Sequence, residues 1–260
     1  MDSMSLLLDP GSIAVVGASP RGGRGGRTLA NLRDTGFKGQ VFAVNPRYDE
    51  VLGFKCYASV AELPAPVDCL VVAVGADAAC DALESAHARG IRAAVVLAAG
   101  FGEGGHGEAR ALRLRALGAK GMSICGPNCY GLLSIKDAKA ASPYSGQLPR
   151  PLRPGTIALV SQSGGLGNSV FTPLMADRAL GFRYVVSCGN QVATAIEDYV
   201  AHFADAPDVD LIAAIVESIR SPRQLLRAAR AAHQRGKPIV FLQIGRSAAG
   251  ERMIRSHTGA

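Results

Sequence analysis

Short apolar runs alternate with amphipathic stretches along almost the whole chain. In the first half the runs fall at 12–16, 41–44, 69–74, 93–97 and 122–125. Between them lie stretches with helical character: one reaching about Thr35, an Ala- and Leu-rich one after 74, and one over 108–117. The run Cys-Leu-Val-Val-Ala-Val at 69–74 is apolar at every position, the pattern of a strand covered on both faces. From 137 to 154 Ser, Pro, Gly and Gln dominate, with Pro143, Pro149, Pro151 and Pro154 close together, which predicts a connection between domains. The alternation then resumes, with strands at 156–160, 184–187, 211–216 and 239–242 and helices after Gly164, over 195–203 and over 222–234. Strands alternating with helices predict parallel sheets joined by right-handed crossovers. The expected organisation is an α/β chain with a first domain over 1–140, a linker over 141–155 and a second domain over 156–260.

Composition narrows the class. With 48% hydrophobic and 19% charged residues the chain has enough apolar material for sizeable cores, and disorder is not expected. No apolar stretch is long enough to cross a bilayer, and the first ten residues lack the basic start of a secretory signal, so no membrane partner is expected. The six cysteines follow neither disulfide nor zinc spacing, no other metal-ligand constellation occurs, and reduced thiols in a cytoplasmic protein are expected. A net charge of +7 suits a polyphosphate ligand. Aromatic residues at 5%, with no Trp, supply few stacking platforms, so nucleic acid is not expected as a partner.

Three turns and two side chains carry candidate chemistry. Gly17-Ala18-Ser19-Pro20-Arg21-Gly22 follows the first strand and opens the first helix, where glycines and helix-start amides suit a phosphate. Ser19 stands where the dinucleotide fingerprint has glycine. The second strand ends in Asn45-Pro46-Arg47 rather than in an acid. Both departures count against NAD and leave Arg47 facing a ribose phosphate, as in NADP or coenzyme A. Gly126-Pro127-Asn128-Cys129-Tyr130-Gly131 reads as a turn, with Cys129 more reasonably a packed residue than a nucleophile. Ser161-Gln162-Ser163-Gly164-Gly165 repeats the strand-to-helix arrangement and is a second anion site; Ser161 standing where a hydrolase elbow needs glycine excludes a serine nucleophile. Glu217 follows the strand 211–216, where it can orient an imidazole, and His257 lies between Ser256 and Thr258 near the C-terminal residue Ala260.

In this order the motifs, with Ala99-Gly100-Phe101-Gly102-Glu103, Ser-x-Gly-Asn at 187–190, Glu-Ser-Ile at 217–219 and Ser-His-Thr-Gly at 256–259, resemble the ADP-forming acyl-CoA synthetases, relatives of the α subunit of succinyl-CoA synthetase. The resemblance spans essentially all 260 residues. It implies a Rossmann-like CoA-binding domain followed by a flavodoxin-like parallel α/β domain. It further implies that Gly17, Ala18, Ser19, Arg21, Gly22, Asn45, Pro46 and Arg47 hold coenzyme A, that Ala99, Gly100 and Phe101 line the CoA or acyl site, and that Asn128 lies near the thioester. Ser161 to Gly165 would cradle phosphate, His257 would be phosphorylated and Glu217 would orient it. The implied reaction joins a small carboxylic acid to CoA at the expense of ATP, through acyl phosphate and phosphohistidine. ATP or ADP and Mg²⁺ would be held by an ATP-grasp domain or β subunit, and an oligomer is expected. A different class, the CoA- or acyl-CoA-sensing module of a protein acetyltransferase, needs neither His257 nor Glu217. An NADP-dependent reductase lacks a hydride-transfer partner.

Overall fold

The computed structural model describes residues 1–103, 106–143, 148, 151–178, 180–245, 247 and 250. In chain order the elements are α1 (Ser3–Leu8), β1 (Ser12–Val16), α2 (Gly23–Asp34), β2 (Gln40–Val44), β3 (Glu50–Val51), β4 (Phe54–Tyr57), β5 (Cys69–Val72), α3 (Ala76–Ala88), β6 (Ala93–Val96), α4 (Glu108–Ala119) and β7 (Ser123–Cys125). They continue with β8 (Gly131–Ser134), β9 (Lys139–Ala141), β10 (Pro154–Ser161), α5 (Gly164–Ala176), β11 (Phe182–Ser187), α6 (Ile196–Asp205), β12 (Leu211–Val216), α7 (Pro222–Gln234) and β13 (Ile239–Gln243).

The first sheet has seven strands in the order β3-β4-β2-β1-β5-β6-β7, parallel throughout except for the β3–β4 pair. The second has six, in the order β13-β12-β10-β11-β8-β9. Its first four run parallel, and β8 and β9 are antiparallel additions. The fully apolar strands are the interior ones: every residue of β5 and β6 is buried, as coverage by helices on both faces requires. Among the described residues no helix is long and apolar enough to cross a membrane.

The chain crosses from one sheet to the other earlier than the expected boundary at 140. Already at Gly131 it joins the second sheet, with β8 pairing with β11 and β9 with β8, so the polar stretch that signalled a linker follows the crossing. The break before β8 is only the six-residue turn Gly126-Pro127-Asn128-Cys129-Tyr130-Gly131, too short to signal a linker and packed against the second half, with the Gly126 and Pro127 carbonyls accepting from the amides of Val192 and Asn190. The expected linker also overlaps β9 at Ala141 and β10 at Pro154 and Gly155. One hydrophobic core runs through both halves, joining Cys69, Cys125 and Cys129 to Tyr184, Tyr199 and Phe203.

A polar lock sits beside that core. Arg183 is buried and pairs with Asp9 at 2.9 Å and Asp208 at 2.6 Å, while Ser134 Oγ donates to Asp9 at 2.7 Å. Burial works to raise the Asp9 pKa, but hydrogen bonds from Ser134 and Tyr184 and the charges of Arg183 and Lys139 outweigh it and hold the carboxyl below its ordinary value. Asp9 follows α1, whose Leu7 and Leu8 are fully buried, so this short helix and its exit tie the start of the chain to β11.

Candidate functional site

The β1–α2 turn is built by glycine. Gly17 has φ +83°, and a Cβ there would lie 2.8 Å from the Ala73 carbonyl oxygen. Gly22 and Gly23 also have positive φ. The decisive pair is Gly25 and Gly26, inside α2: any Cβ would press into the carbonyl oxygens of Gly17 and Ser19 respectively. The helix thus starts in contact with the turn, which brings its N-terminal amides close to the end of β1. Three glycines in the first positions of a helix are the available signal, since glycine weakens helices: Gly25 and Gly26 serve close packing, while Gly23, like the preceding Gly22, serves a positive φ. Arg24 adds a tie by donating to the Leu97 carbonyl at the end of β6.

Asn45 shapes this turn through both ends of its amide. Its Nδ2 donates to the Ala18 carbonyl at 2.7 Å and its Oδ1 accepts from the Arg47 amide at 3.0 Å. Beyond the turn lies a cavity of about 460 Å³, walled by Val16, Val44, Pro46, Val60, Val74 and Ala82, with Gly17 and Arg47 also at its lining. Apolar walls for a flat heterocycle, beside a glycine turn and exposed Arg21 and Arg47 for phosphates, fit the parts of a nucleotide such as the ADP portion of coenzyme A.

Residues 99–103 approach the other half. Glu103 Oε2 accepts from the amides of Gly100 at 2.8 Å and Phe101 at 2.7 Å. Its Oε1 accepts from Asn190, whose side-chain oxygen accepts from Asn128 Nδ2 at 3.3 Å. This chain of polar groups joins the β6–α4 loop, the crossing segment and the β11–α6 loop. Phe101 differs from expectation: its ring is buried in the core of the first half, so from this segment the backbone and exposed Ala99 remain for a ligand. Cys129 is the packed residue that was expected, its thiol buried, donating to the Val96 carbonyl and pushed well above the ordinary pKa by burial.

The β10–α5 turn is built by buried polar side chains. Ser161 Oγ donates to the Ser163 carbonyl at 2.6 Å, and Ser163 caps α5 by accepting from the Leu166 amide. Gln162 reaches across to the loop after β12: its Oε1 accepts from the amides of Glu217 and Ser218, and its Nε2 donates to the Ser218 carbonyl at 2.8 Å. The side chains of Ser161 and Gln162 are therefore used inside the protein, and the helix start at Gly164 and Gly165 is what the turn presents. Exposed Gly165 has open space where a Cβ would be.

Gln162 also brings half-buried Glu217 to the same sheet edge as this turn. The rest of its loop is held just as closely. Arg220 donates to the Gln191 carbonyl at 2.6 Å, and Glu197, 1% exposed, accepts from the Ser221 amide at 2.6 Å. Glu197 Oε2 has no hydrogen-bond partner among the described residues. Nothing in the sequence distinguished this acid from a solvated one at a helix start. His257 lies outside the described residues. No cluster of His, Cys, Asp or Glu able to hold a metal occurs among the described residues.

Comparison with known proteins agrees with this architecture. Residues 11–134 match the model of a CoA binding domain, and residues 154–260 that of a succinyl-CoA ligase like flavodoxin domain. The chain is 40% identical over 259 residues to trans-feruloyl-CoA synthase FCS1 from an unknown prokaryotic organism, covering 98% of this chain and 36% of that protein. It is 32% identical over 265 residues to the alpha subunit of acetate–CoA ligase (ADP-forming) I of Pyrococcus furiosus, covering 99% of this chain and 56% of that subunit. Among solved structures, the dinucleotide forming acetyl-coenzyme A synthetase 1 of Ca. Korarchaeum cryptofilum, in complex with phosphate and ADP, superposes with a TM-score of 0.90 at 33% identity, covering 100% of this chain and 55% of that one. The chain thus spans roughly a third to just over half of the relatives it matches. With both of its domains matched in this order, the chain belongs to the ADP-forming acyl-CoA synthetase family.

Proposed function

We propose that this chain is the CoA-binding and phosphohistidine portion of an ADP-forming acid–CoA ligase, which interconverts acid, ATP and CoA with acyl-CoA, ADP and phosphate. The observation that carries the reading is the Gln162 bridge, which fixes the strand-end acid Glu217 beside a helix-start turn suited to an anion. A solved relative determined with phosphate and ADP adds support. A ligand-sensing module would need no such acid.

In the proposed division of labour, the turn at Gly17, Ala18, Ser19, Arg21 and Gly22 and the segment Asn45-Pro46-Arg47 hold CoA, with Arg47 toward a ribose phosphate. Ala99, the backbone of Gly100 and Phe101, and Asn128 lie toward the thioester. The α5 turn holds phosphate as it attacks the acyl carbonyl, the thiolate leaves, and His257 accepts the phosphoryl group from the acyl phosphate. Glu217 holds one imidazole nitrogen protonated so that the other attacks phosphorus, and balances the cation formed. A helix N-terminus contributes only about 0.3–2 kcal/mol to anion binding. Enzymatic rate enhancements correspond to about 8–23 kcal/mol. The remainder requires a nucleotide- and Mg²⁺-holding ATP-grasp region, in the same chain or as a β subunit. The substrate is a carboxylic acid, the compartment is the cytoplasm, and the working form is an oligomer.

The test is phosphorylation. Assembled with its ATP-grasp region and given Mg-ATP, the protein takes an acid-labile, base-stable label that CoA and the cognate acid discharge. His257→Ala removes the label; a label persisting in that variant overturns the assignment.

A further inference from the structure

The α5 turn is polar, yet exposed apolar side chains stand on all three segments that meet there. Tyr130 is 48% exposed, Leu166 41% and Ile219 39%. Leu166 lies in the first turn of α5, two residues after Gly164, and Ile219 directly follows Ser218, which Gln162 binds. Tyr130 is anchored by its backbone: its amide donates to Ser187 Oγ at 3.0 Å, and its carbonyl accepts from Ser142 Oγ at 2.6 Å. Its ring lies directly over Gly164, where a Cβ would be 2.9 Å from Cε2 and nearer still to Cδ2. Glycine at 164 is therefore what lets an aromatic ring settle against the start of the helix.

Half-exposed apolar side chains beside an anion turn suit a ligand with a charged head and an apolar body. A methyl group would cover little of this surface. A planar ring can lie on the tyrosine face while its carboxyl-derived head remains at the turn. We infer that Tyr130, with Leu166 and Ile219, forms the acyl subsite, and that it selects aromatic carboxylic acids over acetate. The inference rests on the ligase reading for its reaction, but not for its binding site.

Two measurements separate the two. In saturation-transfer NMR on the 260-residue chain with inorganic phosphate present, the ring protons of an arylpropenoic acid are expected to receive magnetisation from the protein. The transfer is lost in Tyr130→Ala and kept in Tyr130→Phe, which retains the ring. In the ligase assembled with its ATP-grasp region, the ratio of kcat/KM for the aryl acid to that for acetate is expected to fall about tenfold or more in Tyr130→Ala, the scale on which apolar pockets discriminate. Ile219→Ala lowers the ratio less. Transfer that persists in Tyr130→Ala, or an unchanged ratio, overturns the inference. So does loss of ATP-grasp association in Tyr130→Ala with acid contact unaltered, which would make this face a protein interface. If His257 never takes a label but the NMR contact forms and depends on Tyr130, the ligase reading fails and the subsite stands.

Discussion

At the end of β1 the chain enters α2 over a run of glycines whose missing side chains let helix and turn touch. At the end of β10 it enters α5 over Ser161, Gln162 and Ser163, all buried and all hydrogen-bonded to neighbouring backbone. Both junctions bring a helix start to the edge of a parallel sheet, but the first does so by removing atoms and the second by adding bonds. A turn made by subtraction leaves backbone close to whatever occupies it and has few side chains of its own. A turn made by bonding is coupled to its surroundings, here to the loop that bears Glu217. The first build suits gripping a large polyphosphate ligand. The second suits positioning a small anion against a reactive group.

The largest expected effect comes from filling the first turn. Gly26→Ala drives a methyl into the Ser19 carbonyl and should destabilise the protein by about 3 kcal/mol, the upper end for overpacking a close contact, read as a lowered urea midpoint. Gly165→Ala sharpens the contrast. With open space around it, alanine should leave stability unchanged or raised by up to about 1 kcal/mol, since it favours helix over glycine.

Cutting the second turn's bonds comes next. Gln162→Ala strands the amides of Glu217 and Ser218 and the Ser218 carbonyl, and should cost about 1–3 kcal/mol for groups left without partners. Amide exchange at 217 and 218 should accelerate while exchange at 17–19 is unchanged. Equal acceleration at both turns would show that the two are not independently built.

How far this contrast could be read from sequence differs between the two turns. The strand over 211–216 and the helix over 222–234 are legible because each carries an apolar pattern of its own period ending at a clear stop. Both turns are legible for the same reason, as breaks between a strand and a helix. Their inner construction was not legible. Gly25 and Gly26 matter through close approach to the carbonyls of Gly17 and Ser19, which only the folded turn brings against the helix, and Gln162 through a loop more than fifty residues away. Five small elements carry no such signal: α1, β3, β4, β8 and β9. α1 is too short to show a helical stripe, and its leucines Leu7 and Leu8 are buried in the core that the two halves share. The β3–β4 hairpin turns at Leu52 with φ +54°, without the Asn-Gly signal that marks such turns. β8 and β9 belong to a sheet whose other strands come later in the chain.

The smallest effect concerns the junction that holds the two turns in one molecule. Burial lowers the His202 pKa, against the opposing pull of Asp2, Asp9 and Asp205, so the folded protein favours the neutral imidazole. The unfolded chain then takes up this proton first. Stability from this group is intact above the ordinary His value of about 6.5 and declines as pH falls from there through the lower folded value. Asp9 and Asp208 are also lowered, so the stability they supply is present above about pH 4, the ordinary range for Asp, and is lost as pH falls through their folded values. His202→Gln should erase the shallow first decline in a pH series of melting temperatures and leave the second, acidic one in place.

Assignment of CoA to the glycine-built turn and of phosphate to the bonded turn is tested most directly by mapping amide shifts in the ¹⁵N-labelled 260-residue chain. Coenzyme A should move the amides of Gly17 to Ser19, Arg21 to Gly23 and Arg47 and leave Gly164 to Leu166 in place, and inorganic phosphate should do the reverse. Coenzyme A shifting only the α5 turn, or phosphate shifting the β1–α2 turn alone, would contradict it.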